Sequence, residues 1–286
     1  MKNSISNNTK GRFFIVSTAL LWGLAGVCVK SIPWNPFSIM ASRCAIGIVM
    51  LGITRKSFKI RPDKKTLLGS VMMSLTGLLY MASIKLTTAA TAIVLQYIAP
   101  ILVFLFTVAV QKIKPKISEA VIVLAVFGGC VLSFADGLDP TRFLGNILGL
   151  VSGFTFAGQI IIFSDPHTDP PGGMYLSNLI SCIFCLPFMF FDKGLVFSPK
   201  VLFWVLILGV FQYGLANICY SKGCTLLSKT ETSLLLTIEP IFNPIPVWIV
   251  TGEKPGAKAL IGFVIVIAAV TVYGLLPVLE NRKNRT

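Results

Sequence analysis

Apolar runs of about 20 residues recur along nearly the whole chain, separated by short stretches that collect its charges and prolines. A bilayer core about 30 Å thick takes about 20 residues of helix, and lipid offers no partner to an exposed backbone N–H or C=O. Runs of this length therefore form spanning helices that close their own hydrogen bonds. They fall at residues 14–29, 37–53, 67–84, 89–110 and 117–134, and again at 145–163, 174–191, 201–220, 230–250 and 257–276. The expected fold is an all-α integral membrane protein with ten transmembrane helices.

Composition and charge exclude the main alternatives. With 55% hydrophobic and 13% charged residues, and a mean hydropathy of +0.82, the chain is too apolar for a water-soluble domain. A net charge of +14 would suit nucleic acid only if Lys and Arg shared a soluble face with aromatics between them. They sit instead in the short loops, where they set topology and meet anionic lipid headgroups, so no nucleic-acid partner is expected. The seven cysteines lie scattered in apolar runs, as small buried hydrophobes do, and the CxxC pair Cys182 and Cys185 lies inside one.

Loop charge also orients the chain. With the N-terminus in the cytoplasm, 17 Lys and Arg are cytoplasmic and 7 external, which with Arg43 in a span accounts for all 25. Both termini are thus expected inside, in the plasma (inner) membrane of a bacterium. The basic start at Lys10 and Arg12 precedes an apolar run with no small-residue cleavage site, so it reads as an uncleaved first span. The cytoplasmic loop 164–173 has no basic residue. Its His167 lies between Asp165 and Asp169, but three prolines and two glycines make it a turn, and neither a metal nor a cofactor is expected.

The chain repeats itself at a spacing of about 140 residues. Leu86, Thr88, Ala92, Pro100, Lys114 and Pro115 match Leu226, Ser228, Thr232, Pro240, Lys254 and Pro255, and Leu24-Ala25-Gly26 matches Phe156-Ala157-Gly158. The two copies are residues 1–138 and 139–286. Five spans per copy is an odd number, so the copies run through the membrane in opposite senses. Inverted repeats of this kind are a mark of secondary transporters, whose two halves exchange conformations around a central site.

Leu21-Trp22-Gly23, Arg43 in the second span, Glu239-Pro240 in the ninth and Gly252-Glu253 after it complete a resemblance to the EamA-type branch of the drug/metabolite transporter superfamily. The resemblance covers nearly the whole chain. Ala99 before Pro100, and Lys112-Ile113 in place of Gly-Glu, depart from the pattern in the first half and make any site asymmetric. The resemblance implies that spans one, three, four, six, eight and nine surround the cavity, and that the protein is an exporter of small metabolites.

Glu239 is the most informative residue. It lies about nine residues, or roughly 13 Å, into its helix, close to the midplane. A carboxylate there is costly unless paired, hydrated or protonated, so it either binds a cationic group of a solute or carries a proton; pairing with a helix end is the competing structural reading. Asn243 shares its stripe, and Pro240, Pro244 and Pro246 kink or unwind that helix. Tyr213 and Asn217 on the eighth span, Gln159 on the sixth, Gln96 and Tyr97 on the fourth, Tyr80 and Trp22 complete the expected binding residues. Arg43 lies roughly 10 Å below the outer end of its helix, within snorkelling reach, and reads as structural.

With export direction and substrate class taken from what the resemblance implies, the expected function is a secondary active transporter that exports small polar or amphipathic metabolites such as amino acids by alternating access. Protons are the candidate coupling ion, and the protein is a monomer or homodimer. The alternative is efflux of multiple drugs or quaternary cations, which Glu239 and the aromatics would also suit. One His and no HExxH, GxSxG or GxxxxGK[ST] pattern speak against an enzyme or an ATP-driven pump.

Overall fold

A computed structural model describes residues 2–57, 63–87, 89–111, 117–134, 142–251, 257–258, 260–262, 264–269 and 271–272. The basic stretches at 112–116 and 282–285, and the Gly252-Glu253 pair, lie outside the described residues.

The helices are α1 (Lys2–Trp22), α2 (Ala25–Ser31), α3 (Pro36–Arg55), α4 (Lys64–Leu86), α5 (Ala89–Gln96), α6 (Ala99–Gln111), α7 (Ile117–Phe134), α8 (Phe143–Phe163) and α9 (Pro170–Met189). A π-helical stretch, Ile207–Leu215, joins α10 (Pro199–Leu206) to α11 (Ala216–Gly223), and α12 (Lys229–Leu236), α13 (Ile238–Phe242) and α14 (Pro244–Thr251) follow. The last apolar helix, α15, covers Leu260–Ala269.

Local chemistry sets several of the starts. Asn35 accepts from the Ser38 N–H at 2.8 Å ahead of Pro36, Asp63 from Thr66 at 2.8 Å, Asp169 from Gly172 at 3.0 Å ahead of Pro170, and Ser228 from Glu231 at 3.1 Å. Lys56, at φ 53°, ends α3 in a left-handed cap. In the loop before α9, the His167 backbone N–H and the Lys65 ammonium, 2.9 Å away, hold the Asp165 carboxyl below the ordinary carboxylate range.

Among the described residues, seven helices are long and apolar enough to cross a membrane: Asn7–Ser31, Pro36–Arg55, Lys64–Leu86, Phe143–Phe163, Pro170–Met189, Pro199–Gly223 and Lys229–Val250. Three shorter apolar helices, Ala99–Val110, Ile117–Leu132 and Leu260–Ala269, lie among them. The distribution of side chains is that of a lipid-dissolved protein. Phe13, Ile53, Ile183, Phe190, Ile249 and Val264 point outward, while Arg43, Gln96, Gln159, Gln212, Asn217 and Glu239 are buried.

Three expected spans are interrupted. The first breaks at Gly23-Leu24, the fourth at Tyr97-Ile98 just before Pro100, and the ninth at Thr237 and again at Asn243. The ninth is unwound as its prolines predict; the other two breaks are legible only in the structure.

Packing is built around α4 and α8, which lie against each other, with α3 against α9 and the π stretch, α11 and α12 against α1, α5 and α6 against α8, and α6 against α12. Gly145, Gly149 and Gly153 recur every four residues on one face of α8 and let neighbouring backbone approach. Ser83 Oγ donates to the Gly145 carbonyl at 2.7 Å, and a Cβ on Gly153 would stand 2.9 Å from the Leu95 and Gln96 carbonyls.

Candidate functional site

A cavity with about 430 Å³ of empty space lies where these helices converge, lined by Trp22, Arg43, Met73, Thr76, Gly77, Tyr80, Gln96, Phe156, Gln159, Gln212, Tyr213 and Glu239. Phe156 forms an edge-on aromatic wall, 5.9 Å from both the Trp22 and Tyr97 rings, and the Thr76 and Thr155 hydroxyls lie 2.8 Å apart beside it.

Glu239 sits at the start of α13, immediately after the Thr237 break, and is 3% exposed. The break presents its carboxylate to the cavity. Tyr97 Oη lies 2.8 Å from Glu239 Oε2 and 2.6 Å from the Leu236 carbonyl. A phenol carries a single proton. Both contacts are satisfied together when the Glu239 carboxyl is protonated and donates to Tyr97, while Tyr97 donates to Leu236. An ionised Glu239 offers only acceptor atoms, so the single Tyr97 proton then faces two acceptors, the carboxylate and the Leu236 carbonyl.

Of the residues expected to bind a solute, Trp22, Tyr80, Gln96, Gln159, Tyr213 and Glu239 line the cavity. Tyr97, Asn217 and Asn243 do not, and each has a different physical reason. Tyr97 is spent on Glu239 and Leu236. Asn243 packs on α2, its Oδ1 2.6 Å from where a Gly26 Cβ would stand. Asn217 is displaced by the π stretch, whose i→i+5 pairing shifts the register by about one residue from the α-helical stripe through Tyr213. That shift also turns Gln212 inward, which α-helical spacing does not anticipate. Arg43, expected to snorkel outward, instead faces the cavity with 3% exposure.

Among the described residues, three ion pairs join segments distant in the chain. Arg12 and Glu231 meet at 2.7 Å between α1 and α12, Lys65 and Asp165 at 2.9 Å, and Arg55 and Asp169 at 3.9 Å. Solvent screens such pairs. A double-mutant cycle of Arg12→Ala and Glu231→Ala is expected to give a coupling of less than about 1 kcal/mol; a larger value would make this pair a structural anchor.

The sequence pattern of the EamA-like transporter family matches residues 9–135 and, a second time, residues 143–275. The chain belongs to this family. The transporter is 22% identical to the uncharacterized inner membrane transporter YicL of Salmonella typhimurium, over 95% of this chain and 97% of that one. An uncharacterized transporter of Archaeoglobus fulgidus is 27% identical over 92% and 95% of the two chains, and the uncharacterized transporter YwfM of Bacillus subtilis 24% over 96% and 95%. A chain of known crystal structure superposes with a TM-score of 0.79 at 17% identity, covering 94% of this chain and 97% of that one, a likeness of fold. Family and apolar helices together make the transporter a multi-pass membrane protein.

Proposed function

We propose that this EamA-like chain is a secondary active transporter that exports small polar or amphipathic metabolites, amino acids among them, by alternating access. The observation that carries the reading is the buried acid Glu239 facing a small, mixed polar and aromatic cavity enclosed by helices from both ends of the chain. Small solutes of this chemistry fit such a wall, and a carboxylate at membrane depth is the kind of group a transport cycle uses.

The architecture in this reading is two inverted five-helix halves, residues 1–138 and 139–286, with ten spans. Three observations support it. The seven long and three shorter apolar helices sum to ten segments, and the family pattern matches twice. The main packing pairs also map onto one another when each span is exchanged for the one five positions later. Then α4 against α8 becomes α11 against α1, α8 against α5 and α6 becomes α1 against α12, and the pairs α3 with α9 and α6 with α12 map onto themselves. Equivalent halves of this kind can trade conformations.

This topology puts both termini in the cytoplasm. An impermeant maleimide applied to intact cells is expected to spare cysteines added near either terminus and to label both after permeabilisation. Labelling of one terminus alone would refute the inverted arrangement.

The single proton shared by Tyr97 makes Glu239 the candidate proton carrier, because its two protonation states reward different arrangements of the Thr237 break. Export direction follows from the family resemblance. Counterflow of radiolabelled amino acids in proteoliposomes tests the whole reading, since only a carrier shows it. Absence of counterflow, with uptake of a quaternary ammonium dye instead, would favour the cation-efflux alternative that Glu239 and the aromatic wall also suit.

A further inference from the structure

The least expected group in the cavity is Arg43. A guanidinium presents five N–H donors in a fixed fork that matches a carboxylate or other oxyanion. Here Nε and Nη2 lie 3.2 and 3.0 Å from the Met40 thioether, and Nη1 lies 3.5 Å from Gln212 Oε1. A thioether is a weak acceptor, and 3.5 Å is at the limit of a hydrogen bond. Among the described residues no carboxylate forms an ion pair with Arg43. An arginine retained to tie helices together would hold a carboxylate or several carbonyl oxygens at short range; this one reaches a single amide oxygen, at that limit.

Its place is nevertheless well defined. The guanidinium carbon lies 4.2 Å from the centroid of the Tyr213 ring, which supports one face. On the side of α4, a Cβ on Gly77 would stand 2.6 Å from Nη2 and 2.8 Å from the Met40 methyl, so the absent side chain makes the space that the group occupies. A buried, positioned and uncompensated cation therefore shares the cavity with Glu239, and among the described residues the two do not form an ion pair.

We infer that Arg43 is the anion-holding pole of the cavity: it binds a carboxylate or similar oxyanion of the solute while Glu239 faces the cationic end. The inference rests on the transport reading above and narrows it. A bare cation meets the uncompensated guanidinium and a bare anion meets Glu239. A solute bearing both charges satisfies both poles and rejects neither.

The test is competition in proteoliposomes. Counterflow with a mixture of radiolabelled protein amino acids identifies a carried amino acid. Its amide keeps the ammonium and lacks the carboxylate; its N-acetyl derivative keeps the carboxylate and lacks the ammonium. In the wild type the parent is expected to outcompete both by about tenfold or more. Arg43→Gln should raise the apparent KM for the parent by about 10- to 100-fold while leaving inhibition by the amide unchanged, with Arg43→Lys between the two. Gly77→Ala should reproduce part of the Arg43→Gln effect, because the atoms in its way are the ends of the Arg43 and Met40 side chains, and it carries the comparison if Arg43→Gln does not fold.

Equal losses for parent and amide would overturn the inference in favour of a structural arginine, as would an unchanged KM for the parent, and in both cases amino acid transport stands. A wild type that moves tetraphenylphosphonium and no amino acid overturns the transport reading itself and the inference with it.

Discussion

Glu239→Gln is expected to leave a folded protein whose counterflow has lost its pH dependence and fallen by about two orders of magnitude. The exchange keeps shape and hydrogen-bonding capacity toward Tyr97 and removes the charge and the exchangeable proton. A hydrogen bond to a charged group is worth about 1.5–3 kcal/mol, so losing the ionic pole costs about 10- to 100-fold in solute affinity. Loss of the proton site adds a failure of coupling to that loss. Stability should hold, because a buried neutral amide is less costly than a buried carboxylate. The measurement is counterflow in proteoliposomes from pH 5.5 to 8.5 beside thermal unfolding in detergent, and a Gln variant with the wild-type rate and pH profile would remove Glu239 from the site. Tyr97→Phe should give a smaller loss, since it leaves both the Leu236 carbonyl and the carboxyl without their partner.

Gly153→Val is expected to damage both fold and transport. A Cβ at that position would lie 2.6 Å from Ile98 Cγ2 and 2.9 Å from the carbonyl oxygens of Leu95 and Gln96. Two of these neighbours are backbone at the α5–α6 break, which cannot rotate away as a side chain can. Overpacking of this kind costs about 1–3 kcal/mol, and more where backbone must move. The displaced segment carries Gln96 into the cavity and Tyr97 onto Glu239, so transport should fall with it. Gly158→Ala is the control: its nearest neighbour is the flexible Met72 sulfur at 3.3 Å, and it should unfold within a few degrees of the wild type. Equal melting temperatures for the two variants would show that α8 does not need its close approach at Gly153.

The site was partly legible in the sequence, for reasons particular residues make plain. Glu239 stands out because a carboxylate in the middle of an apolar run is costly wherever it faces, so depth alone marks it. Arg43 has the same depth signal, but a long side chain near a helix end has two solutions, and nothing local chooses between reaching outward and folding inward over Tyr213. Asn217 and Gln212 were exchanged by the nine-residue π stretch, which leaves no mark in residue spacing. Asn243 keeps its place one helical turn after Glu239, its N–H on the Glu239 carbonyl at 2.8 Å, and its side chain packs against Gly26 of α2, a neighbour no residue spacing announces.

The apolar, helix-forming character of the segments and the caps at Asn35, Asp63, Asp169 and Ser228 depend on bonds within a few residues, and the amino-acid order alone determined them. The rotation of each helix about its axis depends on the shape of its neighbours. The Gly145, Gly149 and Gly153 face of α8 against the α5–α6 break, and Gly77 beneath the Arg43 guanidinium, decide it here. Only the tertiary structure therefore brought an acid and an unpaired arginine into one chamber, because facing is a property of packing between segments and not of any segment by itself.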